Sequence, residues 1–125
     1  MKNGIVIFWV VLVVLIVAGV GATFFISAQP GKLDTFAVCL KDKGAVFYGA
    51  FWCPHCQATK RLFGRSAKLL PYVECSTPDG QGQLQVCKDK EVASYPTWEF
   101  ADGTRMNGER TLQELSEKTG CVLPA

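Results

Sequence analysis

The tetrapeptide Cys53-Pro54-His55-Cys56 constrains this chain more than any other feature. It follows an apolar run, Ala45 to Trp52, and precedes a segment of helical character from Gln57 to Leu70. So little polarity predicts a buried strand over Ala45–Phe51. Pro54 suits the first turn of the following helix, where no N–H donor is required. Two cysteines three apart at a helix start face one another closely enough to form a disulfide. The helix N-terminus adds free N–H groups and the positive end of its dipole, a field that favours thiolate over thiol at Cys53. A stabilised thiolate is both a nucleophile and a good leaving group. The pattern therefore implies a thiol–disulfide exchange centre, with Cys53 as nucleophile and Cys56 as resolving thiol. A lone CxxC also supplies half of many zinc sites. Here Trp52 before it, the strand-then-helix setting, and Tyr95-Pro96-Thr97 some forty residues on favour redox chemistry. Cys75 and Cys87 lack the knuckle spacing that would complete a zinc site, so no metal is expected.

The remaining segments follow from periodicity and turn chemistry. Leu33, Phe36, Ala37 and Leu40 have helical spacing, and Gly44 can stop that helix in the left-handed conformation. Gly64 interrupts the helix after the motif and Pro71 ends it. Tyr72–Ser76 reads as a second strand, parallel to the first because a helix connects them. A short helix is expected from about Gln83 to Asp89. Thr97–Ala101 and Thr104–Asn107 make a hairpin around Asp102-Gly103. Thr111 and Glu114 form a capping box for a last helix, with Leu112 and Leu115 facing inward.

Several stretches carry a family likeness: Cys39-Leu40-Lys41-Asp42-Lys43-Gly44-Ala45, Tyr48-Gly49-Ala50-Phe51-Trp52-Cys53-Pro54-His55-Cys56-Gln57, Leu62-Phe63-Gly64, Tyr72-Val73-Glu74-Cys75, Tyr95-Pro96-Thr97-Trp98-Glu99-Phe100 and Lys118-Thr119-Gly120-Cys121. With these the chain resembles a thioredoxin-fold protein. More narrowly it resembles the thioredoxin-like domain that accompanies bacterial vitamin K epoxide reductase homologues. The likeness covers about residues 33 to 124. It implies an α/β domain with a four-stranded mixed sheet in the order 2-1-3-4, flanked by helices. It implies that Cys53 is the more exposed cysteine and forms the mixed disulfide with substrate. It implies that Pro96 is cis and that the Tyr95 backbone pairs with an extended substrate segment. The Pro54-His55 dipeptide resembles that of DsbA-type oxidants. A protonated His55 would add positive charge near Cys53 and make the disulfide more oxidising. One departure stands out: thioredoxins carry a buried acid six positions before the first cysteine, and here that position is Phe47. Without that base Cys56 should lose its proton less readily, which sits better with a disulfide donor than with a fast reductase.

Six cysteines allow 15 pairings, and fixing Cys53–Cys56 leaves three. Closing Cys75 to Cys87 is geometrically easy, and Cys39 with Cys121 would tie the first and last helices together. The resemblance implies these two pairs. Both read as stabilisers, and the alternative is that Cys75–Cys87 is a second, relay disulfide.

The first quarter of the chain is different in kind. Ile5 to Ile26 is uncharged over 22 residues. At 1.5 Å per residue the run reaches roughly 33 Å, enough for a hydrocarbon core of about 30 Å. A cleaved signal has an apolar core of only about 7–15 residues, so a retained anchor over residues 1–28 is favoured over cleavage near Ala22 or Ala28. Residues 29–32 read as a linker and 33–125 as the thioredoxin-like domain. Charge orients the span only weakly. The cysteine content points instead to an oxidising compartment, which puts the domain in the periplasm or an equivalent space outside the cytoplasmic membrane. Of the 13 basic residues only Lys2 precedes the apolar run, and the rest are nearly balanced by 11 acidic ones. No basic patch marks a nucleic-acid partner. The sequence expectation is thus a membrane-tethered thiol–disulfide oxidoreductase acting on protein thiols. Its redox centre is the disulfide itself, with no cofactor of its own. The family implies recharging by a vitamin K epoxide reductase-type membrane protein, and quinone would bind that partner. A tethered reductase of the cytochrome c maturation type, and a metal- or client-binding module without turnover, are the alternatives. Neither of the two methionines lies near the motif, which argues against a copper carrier.

Overall fold

The computed structural model describes residues 2–125 and divides into two units at Pro30/Gly31. The first is one helix, α1 (Lys2–Ala28), with no buried residue. It is long and apolar enough to cross a membrane.

The second unit is an α/β domain. Helix α2 (Asp34–Asp42) buries Phe36, Ala37 and Leu40, the apolar positions set by its 3.6-residue period. Gly44, at φ +78°, turns the chain into strand β1 (Val46–Gly49). The strand is shorter than the apolar run. Ala50 is still buried, but Phe51 and Trp52 turn outward and are half exposed. Helix α3 (Pro54–Phe63) starts with Pro54 at its first turn, and Cys53 is its N-cap. The α-helix does not continue to Leu70. Gly64 takes a positive φ at the end of α3, and the chain proceeds as a 3₁₀ helix (Gly64–Leu69). Strand β2 (Tyr72–Glu74) then runs parallel to β1, with Phe47 opposite Tyr72 and Gly49 opposite Glu74. It too is shorter than expected, because Ser76 leaves the sheet and bridges to Gln83 instead. Helix α4 (Gln85–Asp89) follows.

Strands β3 (Thr97–Glu99) and β4 (Arg105–Asn107) form an antiparallel hairpin, and β3 lies antiparallel to β1. The sheet order is β2-β1-β3-β4. That order and the mixed strand directions are the thioredoxin-like arrangement the sequence led us to expect. The last helix, α5 (Leu112–Thr119), is held by a complete capping box between Thr111 and Glu114. Leu115 is fully buried and Gly120 closes the helix in the left-handed conformation.

Phe47, Trp98 and Phe36 are fully buried at the centre. Phe47 stacks on Trp98 with ring centroids 4.8 Å apart and meets Tyr72 edge-on at 5.1 Å. Burial of such rings, roughly 150–250 Å² each, dominates a small core. Two disulfides brace it: Cys39–Cys121 joins α2 to the chain end, and Cys75–Cys87 joins the end of β2 to α4.

Candidate active site

Cys53 and Cys56 carry free thiols. Both are nearly inaccessible, Cys53 at 4% and Cys56 at 1%. Cys53 is thus the more exposed only by a small margin. Its amide donates to the Ala50 carbonyl at 3.0 Å, so the loop between β1 and α3 is a tight turn that places the sulfur at the helix mouth. Cys53 Sγ approaches the Tyr95 carbonyl oxygen at 3.8 Å across 42 residues of sequence. The Tyr95–Pro96 peptide bond is cis, and Pro96 is buried. The loop before β3 therefore lies against the CxxC motif.

Trp52 roofs one side. Its Nε1 donates to Ser76 Oγ at 2.8 Å, and its ring meets Tyr95 edge-on at 6.1 Å. Tyr95 is fixed in turn by Gln83 Nε2, which donates to its hydroxyl oxygen at 2.7 Å. Pro54 and His55 face solvent. His55 Nδ1 sits 2.6 Å from Glu109 Oε1, and both side chains are at least half exposed. When the ring is protonated this is an ion pair, and the carboxylate offsets the positive charge expected of His55. Glu109 lies 54 residues from His55, in the loop before α5, and nothing local in the sequence marks it.

Beneath Cys53 the surroundings change. Burial pushes the Cys56 thiol up to about 12, and contact with Cys53 acts in the same direction, while the Ala50 amide and the Lys60 charge pull it down. Tyr72 sits beside it. A Cβ on Gly49 would come within 2.8 Å of Tyr72 Cε2 and 2.9 Å of Cys56 Sγ, so both groups crowd the space that glycine leaves open. The Tyr72 hydroxyl donates to Glu74 Oε2 at 2.7 Å, and burial followed by that carboxylate raises its ionisation well above the usual tyrosine range. Glu74 Oε1 accepts from the Phe51 amide at 3.2 Å and the Ser76 amide at 2.8 Å. Lys60 Nζ lies 3.4 Å from the Tyr72 ring centroid. Sequence reasoning did not single out Lys60, although its place four residues after Cys56 on the same helix is the signal that could have found it. Tyr72 and Glu74 became neighbours of the site only through the β1–β2 register. Among the described residues no group of three or more His, Cys, Asp or Glu side chains forms a metal-binding set.

A buried dithiol at a helix N-terminus, lying against a cis-proline loop in a domain with a 2-1-3-4 sheet, defines a thioredoxin-like domain with a CxxC centre. Such a pair can form a disulfide, open it, or carry a mixed disulfide on Cys53. The chain is 46% identical over 89 residues to a thiol-disulfide oxidoreductase, LTO1, of Arabidopsis thaliana. That match covers 67% of this chain and 23% of the plant protein. It is 37% identical over 82 residues to a thioredoxin domain-containing protein 5 homolog of Drosophila melanogaster, covering 55% of this chain and 19% of the relative. It is 30% identical over 96 residues to a protein disulfide-isomerase A2 of Mus musculus, covering 66% and 18%. The chain thus spans less than a quarter of each of these relatives. Among solved structures, oxidised mitochondrial thioredoxin 3 of Saccharomyces cerevisiae matches with 18% identity and a TM-score of 0.37 over 62% of this chain and 76% of that one, too loose a likeness to add to the strand order itself. No protein-family model matches the chain.

Proposed function

We propose that the chain is a thiol–disulfide oxidoreductase of the thioredoxin and disulfide-isomerase type, acting on protein thiols and disulfides. One observation carries this reading: the free Cys53 thiol, at the N-cap of α3, lies 3.8 Å from the Tyr95 carbonyl of the cis-proline loop. A substrate thiolate attacks Cys53 of the closed disulfide, the Cys53–Cys56 bond breaks, and its electron pair leaves on Cys56. A second substrate thiol then attacks the substrate sulfur of the mixed disulfide and expels Cys53 as thiolate. The substrate leaves oxidised and the enzyme is left as the dithiol.

The finer reading is a membrane-tethered donor of disulfides. The apolar length of α1 supports a span, and on this reading the domain lies in the periplasm or its equivalent outside the cytoplasmic membrane. Two structural disulfides in a domain of this size fit an oxidising compartment. Pro54-His55 and the apolar Phe47 favour the oxidising direction. The sequence resemblance supports a quinone-reducing membrane protein of the vitamin K epoxide reductase type as the partner that reoxidises the dithiol. The Glu109 carboxylate beside His55 favours a second reading, a tethered reductase, because it weakens the charge that would make the disulfide oxidising.

Trapping tests the chemistry. Cys56→Ala should accumulate mixed disulfides through Cys53, because the internal escape is removed, whereas Cys53→Ala should accumulate few. Equal trapping by both variants, or by neither, contradicts the assignment. A Cys53–Cys56 reduction potential well above thioredoxin's roughly −270 mV supports the donor, and one at or below it promotes the reductase.

A further inference from the structure

Phe47 leaves the underside of the motif without a buried carboxylate, yet Cys56 must become a thiolate whenever the disulfide opens or closes. That thiolate forms in a place 1% exposed. A charge there is costly unless an opposite charge is close. The groups facing Cys56 are the Ala50 amide, Cys53 at the helix mouth, Lys60 on α3 and the Tyr72 ring on β2, with Glu74 behind the Tyr72 hydroxyl; of these only Lys60 carries a positive charge.

Glu74 is poorly placed to take a proton from Cys56. Both of its oxygens are already acceptors, one from two backbone amides and the other from the Tyr72 hydroxyl. Its role is to anchor the Tyr72 ring and the Phe51 loop. The anchored ring presents one edge towards Cys56, in the space that Gly49 leaves open, and its face to Lys60. At 3.4 Å from the centroid, the ammonium is held by the ring's negative face. Lys60 also follows Cys56 by four residues, so the two share one face of α3.

We propose that Lys60, held in place on the Tyr72 ring, supplies the positive charge that stabilises the Cys56 thiolate. The idea rests on the exchange chemistry given above and holds in either direction of electron flow. When a substrate thiolate attacks Cys53, the electron pair of the broken S–S bond collects on Cys56 next to the ammonium, and water later protonates it. In the reverse step the Cys56 thiol gives its proton to water, attacks Cys53 of the mixed disulfide, and the substrate sulfur leaves as thiolate. Tyr72 and Glu74 are positioning residues that act through Lys60.

The test uses the full chain in detergent micelles. With Cys53→Ser, Cys56 is the sole free thiol, and its alkylation by iodoacetamide at fixed alkaline pH follows thiolate content by intact mass. Lys60→Met keeps most of the aliphatic stem and removes the charge, and alkylation should slow by about tenfold, or about 1.4 kcal/mol. Lys60→Arg restores the charge and should stay within about twofold of Lys60. In the dithiol form with Cys53 present, exchange with a disulfide-containing peptide should fall and recover in the same pattern. Lys60→Met alkylating at the original rate overturns the proposal. So does Lys60→Arg alkylating as slowly as Lys60→Met, since packing would then be responsible. If no variant exchanges with any disulfide, the oxidoreductase reading fails while the alkylation series still decides the role of Lys60.

Discussion

Replacing Gly49 by alanine probes the close approach on which the lower half of the site depends. The added Cβ would lie 2.8 Å from Tyr72 Cε2 and 2.9 Å from Cys56 Sγ. Carbon contacts are favourable at about 3.5–4.0 Å, so both neighbours must move by most of an ångström. Tyr72 cannot swing aside freely. Its hydroxyl is bound to Glu74, its edge meets Phe47, and Lys60 covers one face. Overpacking of this kind costs about 1–3 kcal/mol. The lower chain entropy of alanine in a strand offsets about 0.5–1 kcal/mol of that. The middle of these ranges leaves a net loss of about 1 kcal/mol, and the tight contact to both neighbours places this site between there and about 2 kcal/mol. In a domain of this size each kcal/mol moves the melting temperature by about 4–8 °C. Thermal unfolding of the full chain, under mild reduction that leaves Cys39–Cys121 and Cys75–Cys87 closed, should show a fall of about 4–15 °C. Gly82→Ala is the control. There the nearest atoms, in the Thr77 side chain, stand at 3.4 Å, and little change is expected. A Gly49→Ala protein that melts with the original, or above it, refutes the packing argument.

Gentle reduction should open Cys53–Cys56 while Cys75–Cys87 stays closed, because Cys53 keeps a small exposed edge at the N-cap of α3, where its thiolate is a good leaving group, whereas Cys75 and Cys87 have none. Non-reducing peptide maps that find Cys75–Cys87 equally labile would revive its role as a relay. Glu109→Gln frees His55 from its carboxylate and should raise the Cys53–Cys56 potential. An exposed pair is worth about 0.2–1 kcal/mol. At about 30 mV per 1.4 kcal/mol the rise should be roughly 5–20 mV in a glutathione equilibrium, and an unchanged or lower potential contradicts it. The Thr104 hydroxyl, then the Lys118 ammonium, hold the Asp102 carboxyl well below the usual carboxylate range. Because the folded value is depressed, its stabilisation is complete above the unfolded value of about 3.9 and is lost as pH falls below it. The gap in urea midpoint between the original and Asp102→Asn should therefore be constant from pH 5 to 7 and close towards pH 2. A gap that persists at pH 2 would assign it to something other than charge.

Local chemistry determined much of this protein in the sequence alone. Cys53-Pro54-His55-Cys56 after an apolar run fixes a dithiol at a helix N-terminus, because proline and the helix period leave little choice there. The Thr111–Glu114 box, the Asp102-Gly103 turn and the uncharged Ile5–Ile26 run depend on neighbours within a few residues, and they too were legible. Element ends were not. The apolar run Ala45–Phe51 gives only a four-residue strand, because Phe51 and Trp52 turn out where β1 runs into the loop before α3. What tertiary structure decided is the electrostatic setting of the two sulfurs. Glu109 reaches His55 across 54 residues, Tyr95 reaches Cys53 across 42, and Tyr72 with Glu74 arrives through the parallel register of β1 and β2. These groups come together only when the sheet forms, since coulombic and hydrogen-bond energies depend on distances of a few ångströms that chain spacing does not encode.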